Sequence, residues 1–176
     1  MSGPIAAGKT TLAEILQIKG FAYTRFSMVI DDILKERNLP LDRYHRQMVG
    51  IEVNRDGRQR ELAERTLSRV AGANVIVVDG LRFPDDHAFL KEKFGFRFVH
   101  VFVSAPIEVR RERYATRLGL SGTEADGAFD EANSSEVERM VPLLESLADQ
   151  SLFNIGSKED MAAMIPSLSA QWEKES

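Results

Sequence analysis

A glycine-rich segment near the N-terminus constrains the fold and the chemistry of the chain more than any other feature. The run Gly3-Pro4-Ile5-Ala6-Ala7-Gly8-Lys9-Thr10 has the spacing G-x-x-x-x-G-K-T, which is typical of a loop that wraps around phosphate groups. Glycines let backbone N–H groups converge on phosphate oxygens, a lysine supplies positive charge, and a hydroxyl can bind Mg²⁺. We call residues 3–10 the phosphate loop and expect it to bind a nucleoside triphosphate.

The residues that follow the phosphate loop predict a helix. The run Thr11-Leu12-Ala13-Glu14-Ile15-Leu16 opens this helix, so its N-terminus would face the bound phosphates. The alternative interpretation is a glycine turn that caps a helix and binds nothing. The residues expected to bind ATP here are Gly3, Ala6, Ala7, Gly8, Lys9, Thr10 and Thr11, and Thr10 is also expected to bind Mg²⁺.

A phosphate loop normally follows a buried strand, and the sequence leaves little room for one. Only Met1 and Ser2 precede Gly3. In a doubly wound sheet the strand before the loop lies in the middle and pairs with two neighbours. We therefore expect the natural start to lie several residues upstream of Met1. If the sequence is complete, nucleotide binding should be weak or lost.

Composition narrows the classes of function. The chain has 176 residues, of which 43% are hydrophobic, and this size suits one domain with a full core. The net charge of −4 disfavours nonspecific binding to nucleic acid or to an anionic membrane. The absence of cysteine excludes disulfides, zinc-thiolate sites and thiol catalysis. No apolar stretch reaches membrane-spanning length. We expect a cytoplasmic protein that acts on a free small molecule.

Strand patterns alternate with helix patterns along the whole chain. Strands are predicted over residues 21–27, 74–80, 96–104 and 152–155, and helices between them, including residues 29–37, 58–71, 107–118 and 134–147. This alternation predicts a single α/β domain over residues 1–176, a three-layer doubly wound parallel sheet with helices on both faces. We expect a helical region at about residues 28–71 and a short mobile lid at about 113–139, because residues 119–127 are small and polar.

Two residues near the end of the second predicted strand are candidates for binding a metal and a phosphate. Asp79 ends the apolar strand 74–80, so its carboxylate should emerge at the sheet edge beside the phosphate loop. There it would support Mg²⁺ through a water molecule. The alternative is an aspartate that caps a helix or a turn. Arg82 follows three residues later, and its guanidinium suits a two-pronged contact with a phosphate.

Arginines directly before the small, polar stretch at residues 119–127 form a second candidate cluster. Arg113 and Arg117 lie one helical turn apart, and phosphoryl transfer needs mobile positive charge over the transferring group. A solvated charged helix face is the alternative, and Arg139 is a weaker candidate. Asp31 and Asp32 could act as a base for an acceptor oxygen, or could equally stabilise the first turn of a helix.

With these residues assembled, the chain resembles the nucleoside monophosphate kinase-like branch of P-loop kinases, the superfamily that includes adenylate kinase. The phosphate loop matches the ATP phosphate loop of that family. Residues 78–84 are similar to its strand-end segment, whose arginine holds the acceptor phosphate, and residues 105–117 to the helix that enters the lid. Phe153-Asn154-Ile155-Gly156-Ser157 is similar to the late strand and turn that often pass beside the nucleotide base.

The resemblance implies ATP-dependent phosphoryl transfer, with Mg²⁺, to a nucleotide or nucleoside-like acceptor. The expected catalytic residues are Lys9, Asp79, Arg82, Arg113 and Arg117; Arg113 and Asn154 would also bind ATP, and Thr10 and Asp79 the metal. Residues 41–69 lack a match to the acceptor-binding helices of adenylate kinase, so the acceptor stays open. A kinase of a non-nucleotide metabolite and a catalytically inactive nucleotide-binding regulator are the alternatives. Nucleic acid and membrane partners are not expected, and the oligomeric state is undetermined.

Overall fold

Helices and parallel strands alternate in the computed structural model, which describes residues 1–172 and the side chains of residues 1–168. The strands are β1 (Ala22–Arg25), β2 (Ile76–Asp79), β3 (Val101–Ser104) and β4 (Gln150–Phe153). The helices are α1 (Lys9–Ile18), α2 (Phe26–Glu36), α3 (Arg43–Arg55), α4 (Gln59–Ser68), α5 (Pro84–Phe94), α6 (Ile107–Leu118), α7 (Gly122–Asn133), α8 (Glu136–Met140) and α9 (Lys158–Trp172), and short 3₁₀ turns cover Gly95–Arg97 and Val141–Leu144.

Two parallel strand pairs are joined through the first two residues of the chain. β1 pairs with β2, and β3 pairs with β4. Ser2 forms a parallel bridge with Phe102 of β3, and on the other side the Met1 carbonyl oxygen accepts the Gly80 amide at 3.2 Å. Met1 and Ser2 therefore lie between β2 and β3, where the strand before the phosphate loop was expected.

The sheet separates two large hydrophobic clusters. On β3, Phe102 packs into a cluster with helices α2 to α5, whereas its neighbours Val101 and Val103 pack into a cluster with α1 and α9. Because successive side chains of a strand point to opposite faces, this division places helices on both sides of the sheet. The three-layer arrangement predicted from the sequence is confirmed. It sets the carboxyl ends of the strands along one edge.

The region predicted as a short mobile lid contains a helix with a buried face. Residues 122–127 begin helix α7, whose Ala125, Phe129 and Ala132 are buried. These positions recur at i, i+4 and i+7, which is the spacing of one helix face. Residues 122–127 are therefore the first turns of a helix and not an irregular stretch, whereas the mobility expected of the lid stays a prediction. Phe129 packs edge-on against Tyr114 of α6, with ring centroids 5.8 Å apart.

Other element predictions differ from the structure in their bounds, and one of the predicted helices is divided. The predicted strand over residues 21–27 stops at Arg25, because Phe26 starts α2. The predicted strand over residues 96–104 begins only at Val101, after a 3₁₀ turn. The predicted helix over residues 134–147 divides into α8 and the 3₁₀ turn Val141–Leu144, which contains Pro142. In addition, no helix of residues 1–172 combines the length and apolarity that crossing a membrane would require.

Candidate active site

A cavity of about 780 Å³ opens at the carboxyl edge of the sheet. The phosphate loop forms one wall, the segment after β2 forms another, and residues of α6 and of the turn after β4 close the side. The cavity brings together every residue expected to be catalytic or to bind ATP or Mg²⁺ except Gly3 and Ala7, namely Ala6, Gly8, Lys9, Thr10, Thr11, Asp79, Arg82, Arg113, Arg117 and Asn154.

The two glycines of the phosphate loop are required by close contacts. Gly3 has φ of 134°, and a β-carbon at this position would lie 2.0 Å from the Val103 carbonyl oxygen. Gly8 has φ of 107°, and a β-carbon there would lie 2.2 Å from the Asn154 amide nitrogen. Both backbone conformations disfavour other residues. Gly3 therefore lets the loop pass close to β3, and Gly8 lets it pass close to Asn154.

Lys9 folds back over the phosphate loop. Its Nζ donates hydrogen bonds to the carbonyl oxygens of Gly3 at 2.7 Å and Pro4 at 2.8 Å. Burial lowers the pKa of the Lys9 ammonium to about 7, and the nearby Arg82 guanidinium acts in the same direction. An entering anion would restore the charged form, so the group is suited to phosphate binding.

The end of β4 supports both the phosphate loop and an arginine of α6. The Asn154 side chain donates to the Ala7 carbonyl oxygen at 2.8 Å. The Arg113 guanidinium donates to the carbonyl oxygens of Asn154 at 3.2 Å and Gly156 at 3.0 Å. Arg117 is exposed and its guanidinium lies 4.9 Å from the centre of the Tyr114 ring. Arg113 is thus held against the turn after β4, and the exposed Arg117 lines the cavity.

Asp79 lines the cavity and has one carboxylate oxygen without a hydrogen-bond partner among the described residues. It is buried at the end of β2, and its Oδ2 accepts the Tyr23 hydroxyl at 3.3 Å. Within the part of the chain that the structure describes, Oδ1 has no hydrogen-bond partner. Burial, together with the Asp79 charge, raises the pKa of Tyr23 to about 12, so the phenol stays protonated as a donor. A free carboxylate oxygen and the exposed Thr10 hydroxyl on one cavity are hard ligands that fit Mg²⁺.

A buried glutamate that sequence reasoning missed joins two walls of the site. Glu138 of α8 accepts the Ile5 backbone amide through Oε2 at 3.0 Å and the Arg82 guanidinium through Oε1 at 2.7 Å. Only 7% of the residue is exposed. No local pattern marks Glu138, because its two partners lie 133 and 56 residues away in sequence.

The opposite half of the cavity combines apolar walls with polar groups. Asp86 accepts the backbone amides of Arg82 at 2.9 Å and Phe83 at 3.0 Å, and the Gln59 side chain at 2.6 Å. Burial raises the pKa of Asp86 to about 6, although these hydrogen bonds oppose the shift. Because Gln59 donates to a carboxylate, its Oε1 is left as an acceptor without a partner among residues 1–168. The remaining lining residues of this half are Arg25, Phe26, Ser27, Ile30, Arg43, Arg46, Gln47, Gly50 and Leu62.

The other candidates are not part of the cavity lining. Asp31 pairs with Arg46 at 2.5 Å and Asp32 pairs with Arg69 at 2.7 Å, so both acidic residues stabilise contacts between helices. Arg139 is exposed and does not line the cavity.

Comparison with known proteins identifies the family. The sequence profile of the AAA domain family matches residues 1–140. The chain belongs to the AAA domain family. A UPF0200 protein of Thermococcus kodakarensis is similar to this AAA domain chain, with 23% identity, over 96% of the chain and 94% of the relative. A UPF0200/UPF0201 protein of Archaeoglobus fulgidus is 26% identical over 90% of the chain, which spans 50% of that relative's length.

A solved kinase shares the fold of this AAA domain protein. Shikimate kinase from Bacteroides thetaiotaomicron superposes with a TM-score of 0.61 and 19% identity, over 98% of the chain and 96% of the kinase. The expected likeness to P-loop kinases is therefore confirmed at the level of the fold.

Proposed function

We propose that this protein is a P-loop kinase that transfers a phosphoryl group from ATP to a small-molecule acceptor, in the first instance a nucleotide. One observation carries the proposal. The phosphate loop, Arg82, Arg113 and Arg117 line the same cavity, so a donor phosphate and an acceptor phosphate can meet between them. Phosphoryl transfer depends on positioning and on positive charge around the transferring group, and it needs no covalent nucleophile.

The phosphate loop and the residues beside it would bind and orient the triphosphate. The loop amides and Lys9 would hold the β- and γ-phosphates once the lysine leaves the carbonyls that it now contacts. Arg113 is already anchored beside the loop, and the exposed Arg117 would close on the charge that develops in the transition state. Thr10 and Asp79 would hold Mg²⁺, which would neutralise phosphate charge when bound.

The half of the cavity opposite the phosphate loop, which we call the acceptor half, is suited to binding a phosphorylated compound with a flat apolar body. Arg82 and Arg25 supply cations at the edge of the sheet, where an acceptor phosphate would meet the loop. Phe26, Ile30 and Phe83 give the cavity its apolar wall, and the Gln59 Oε1 can accept a hydrogen bond from an amino or hydroxyl group. A nucleoside monophosphate has each of these chemical features.

The test measures ADP formation from ATP and Mg²⁺ with a panel of nucleoside monophosphates. We expect turnover with at least one of them, and a loss of at least about 100-fold in kcat/KM for Lys9→Ala and for Arg113→Ala, because each removes charge from the transition state. Arg139→Ala is the matched control, since it removes an exposed arginine outside the cavity. Activity within a few-fold of wild type in both site variants would contradict the mechanism.

A kinase of a non-nucleotide metabolite is the second candidate. The fold shared with shikimate kinase favours it, because that neighbour is named for a hydroxy-acid acceptor. Small hydroxy acids and alcohols in the same ADP assay separate the two candidates. An inactive regulator is the third, and it predicts ATP binding without turnover on any acceptor. Sustained ADP production with any compound of either panel excludes it.

A further inference from the structure

Glu138 makes a contact that the transfer reaction does not explain. Its two carboxylate oxygens are shared between a backbone amide of the phosphate loop, Ile5, and the guanidinium of Arg82. A loop amide and an arginine are the donors that proteins use to bind phosphate oxygens. The carboxylate therefore occupies donors that a phosphoryl group would need.

The charges around Glu138 reinforce this reading. Its carboxylate bonds the Arg82 guanidinium, and its negative charge favours the charged form of the buried Arg110. Arg110 is buried beside the loop, where its guanidinium donates to the Asn133 side chain at 2.8 Å and, more weakly, to the Ile5 carbonyl oxygen at 3.4 Å. Two guanidiniums, those of Arg82 and Arg110, therefore interact with one buried carboxylate. A triphosphate would bring several negative charges to the same cations, and two anions this close repel each other.

The position of Glu138 connects this contact to the lid region. Helix α8 directly follows α7 and leads into the 3₁₀ turn Val141–Leu144, whose Val141 and Leu144 are fixed in the core at 1% and 0% exposure. A displacement of the carboxylate can therefore be transmitted toward α7, while the other end of the segment stays anchored.

We propose that Glu138 is a positioning residue that stands in for a phosphoryl group before substrate binds. It keeps the Ile5 amide and Arg82 facing the cavity, and it leaves both donors when a polyphosphate arrives. This inference rests on the proposed function in one respect, namely that the loop binds a polyphosphate. It predicts that removing the charge of Glu138 tightens polyphosphate binding, whereas damage to an ordinary binding residue weakens it.

The test uses inorganic tripolyphosphate and calorimetry on the full chain. We expect Glu138→Gln to bind tripolyphosphate about tenfold more tightly than wild type, which corresponds to about 1.4 kcal/mol. Glu136→Gln is the matched control, because this glutamate lies on the same helix, is exposed and pairs only with Arg55 among the described residues. It should leave the affinity unchanged. Equal or weaker binding by a folded Glu138→Gln variant would overturn the inference.

A second measurement needs no variant. Amide NMR of the wild-type chain during a tripolyphosphate titration should show the Ile5 resonance and those of α8 moving together as the carboxylate leaves. Loop resonances that move while α8 stays unchanged would also overturn the inference. If wild type and variants all fail to bind tripolyphosphate, the proposed function fails instead, so the two failures are distinguishable.

Discussion

The Asn154 side-chain nitrogen lies only 2.2 Å from the position that a β-carbon of residue 8 would occupy. The same nitrogen donates to the Ala7 carbonyl oxygen at 2.8 Å. The Asn154 amide can therefore bond the phosphate loop because residue 8 is a glycine and has no side chain in the way. The position of Asn154 therefore excludes a side chain at residue 8.

A Gly8→Ala substitution should destabilise the chain and abolish polyphosphate binding. Positive φ alone costs a non-glycine residue about 1–2 kcal/mol, and the contact with Asn154 adds to that cost. Gly20→Ala is the control, since Gly20 has φ of 92° but nothing within 4 Å of an added β-carbon. Chemical denaturation of both variants separates the backbone cost from the contact. Equal destabilisation by the two substitutions would show that the Asn154 contact contributes nothing.

Polyphosphate binding should be accompanied by proton uptake at Lys9. The pKa of Lys9 is lowered to about 7, so at pH 8 most of this group is neutral before the anion binds and charged afterwards. We expect an uptake approaching one proton at pH 8 that declines below pH 7. Calorimetry in two buffers with different ionisation enthalpies measures it. Lys9→Arg is the matched control, because an arginine stays protonated throughout; the same uptake in that variant would assign the proton to another group.

Phe129→Ala should loosen α7 without unfolding the rest of the chain. Phe129 is fully buried in a small cluster with Ile5, Tyr114 and Ala132, and large-to-small changes at such aromatic positions cost about 3–5 kcal/mol. Hydrogen exchange should show lost protection in residues 122–133 and unchanged protection in β3. Leu118→Ala, at a site that is 48% exposed, is the control. A uniform loss of protection across the chain would mean that α7 unfolds only with the whole domain.

His100 should make the chain less stable as the pH falls. It is fully buried, its Nε2 lies 2.7 Å from the Ser2 hydroxyl, and burial lowers its pKa to about 4 from an ordinary 6.5. Between these values the unfolded chain binds a proton that the folded chain does not, so stability decreases as pH falls from 6.5 to 4. The full difference is about 3 kcal/mol.

The comparison with His100→Gln isolates this contribution. Asp86 acts in the opposite direction, because its raised pKa of about 6 lets the folded chain bind a proton first as the pH falls. The free energies of unfolding of wild type and variant should therefore be measured side by side at each pH. The wild type should lose stability relative to the variant between pH 6.5 and 4. A constant difference would show that His100 does not titrate as inferred.

Helix ends and strand ends could be predicted from the sequence where the residues that determine them are neighbours along the chain. The predicted helix over residues 107–118 matches α6 at both ends, because Pro106 precedes it and Gly119 follows it. Asp79 was expected at the sheet edge because it ends an apolar strand, and the structure has it there. Such positions depend on neighbours in the sequence, so they can be predicted from a single chain.

Contacts between distant segments could not be predicted in this way. Glu138 is one of two glutamates on α8, and only the fold decides that it, rather than Glu136, meets Ile5. In α7 the regular spacing of apolar residues was present, but Gly122 and Gly127 favoured a loop interpretation. The contacts of Phe129 with α6 decide in favour of the helix, and no local pattern shows them.

One small hydrophobic cluster connects the phosphate loop to two helices, so a change in its packing would affect all three. Ile5 belongs to the phosphate loop, yet its side chain packs with Tyr114 and Phe129 of the α6 and α7 helices. An uncharged compound that wedged between Ile5 and Phe129 would deform the loop and shift α7 at the same time. A compound of this kind would act on the phosphate loop without carrying the negative charge of a phosphate.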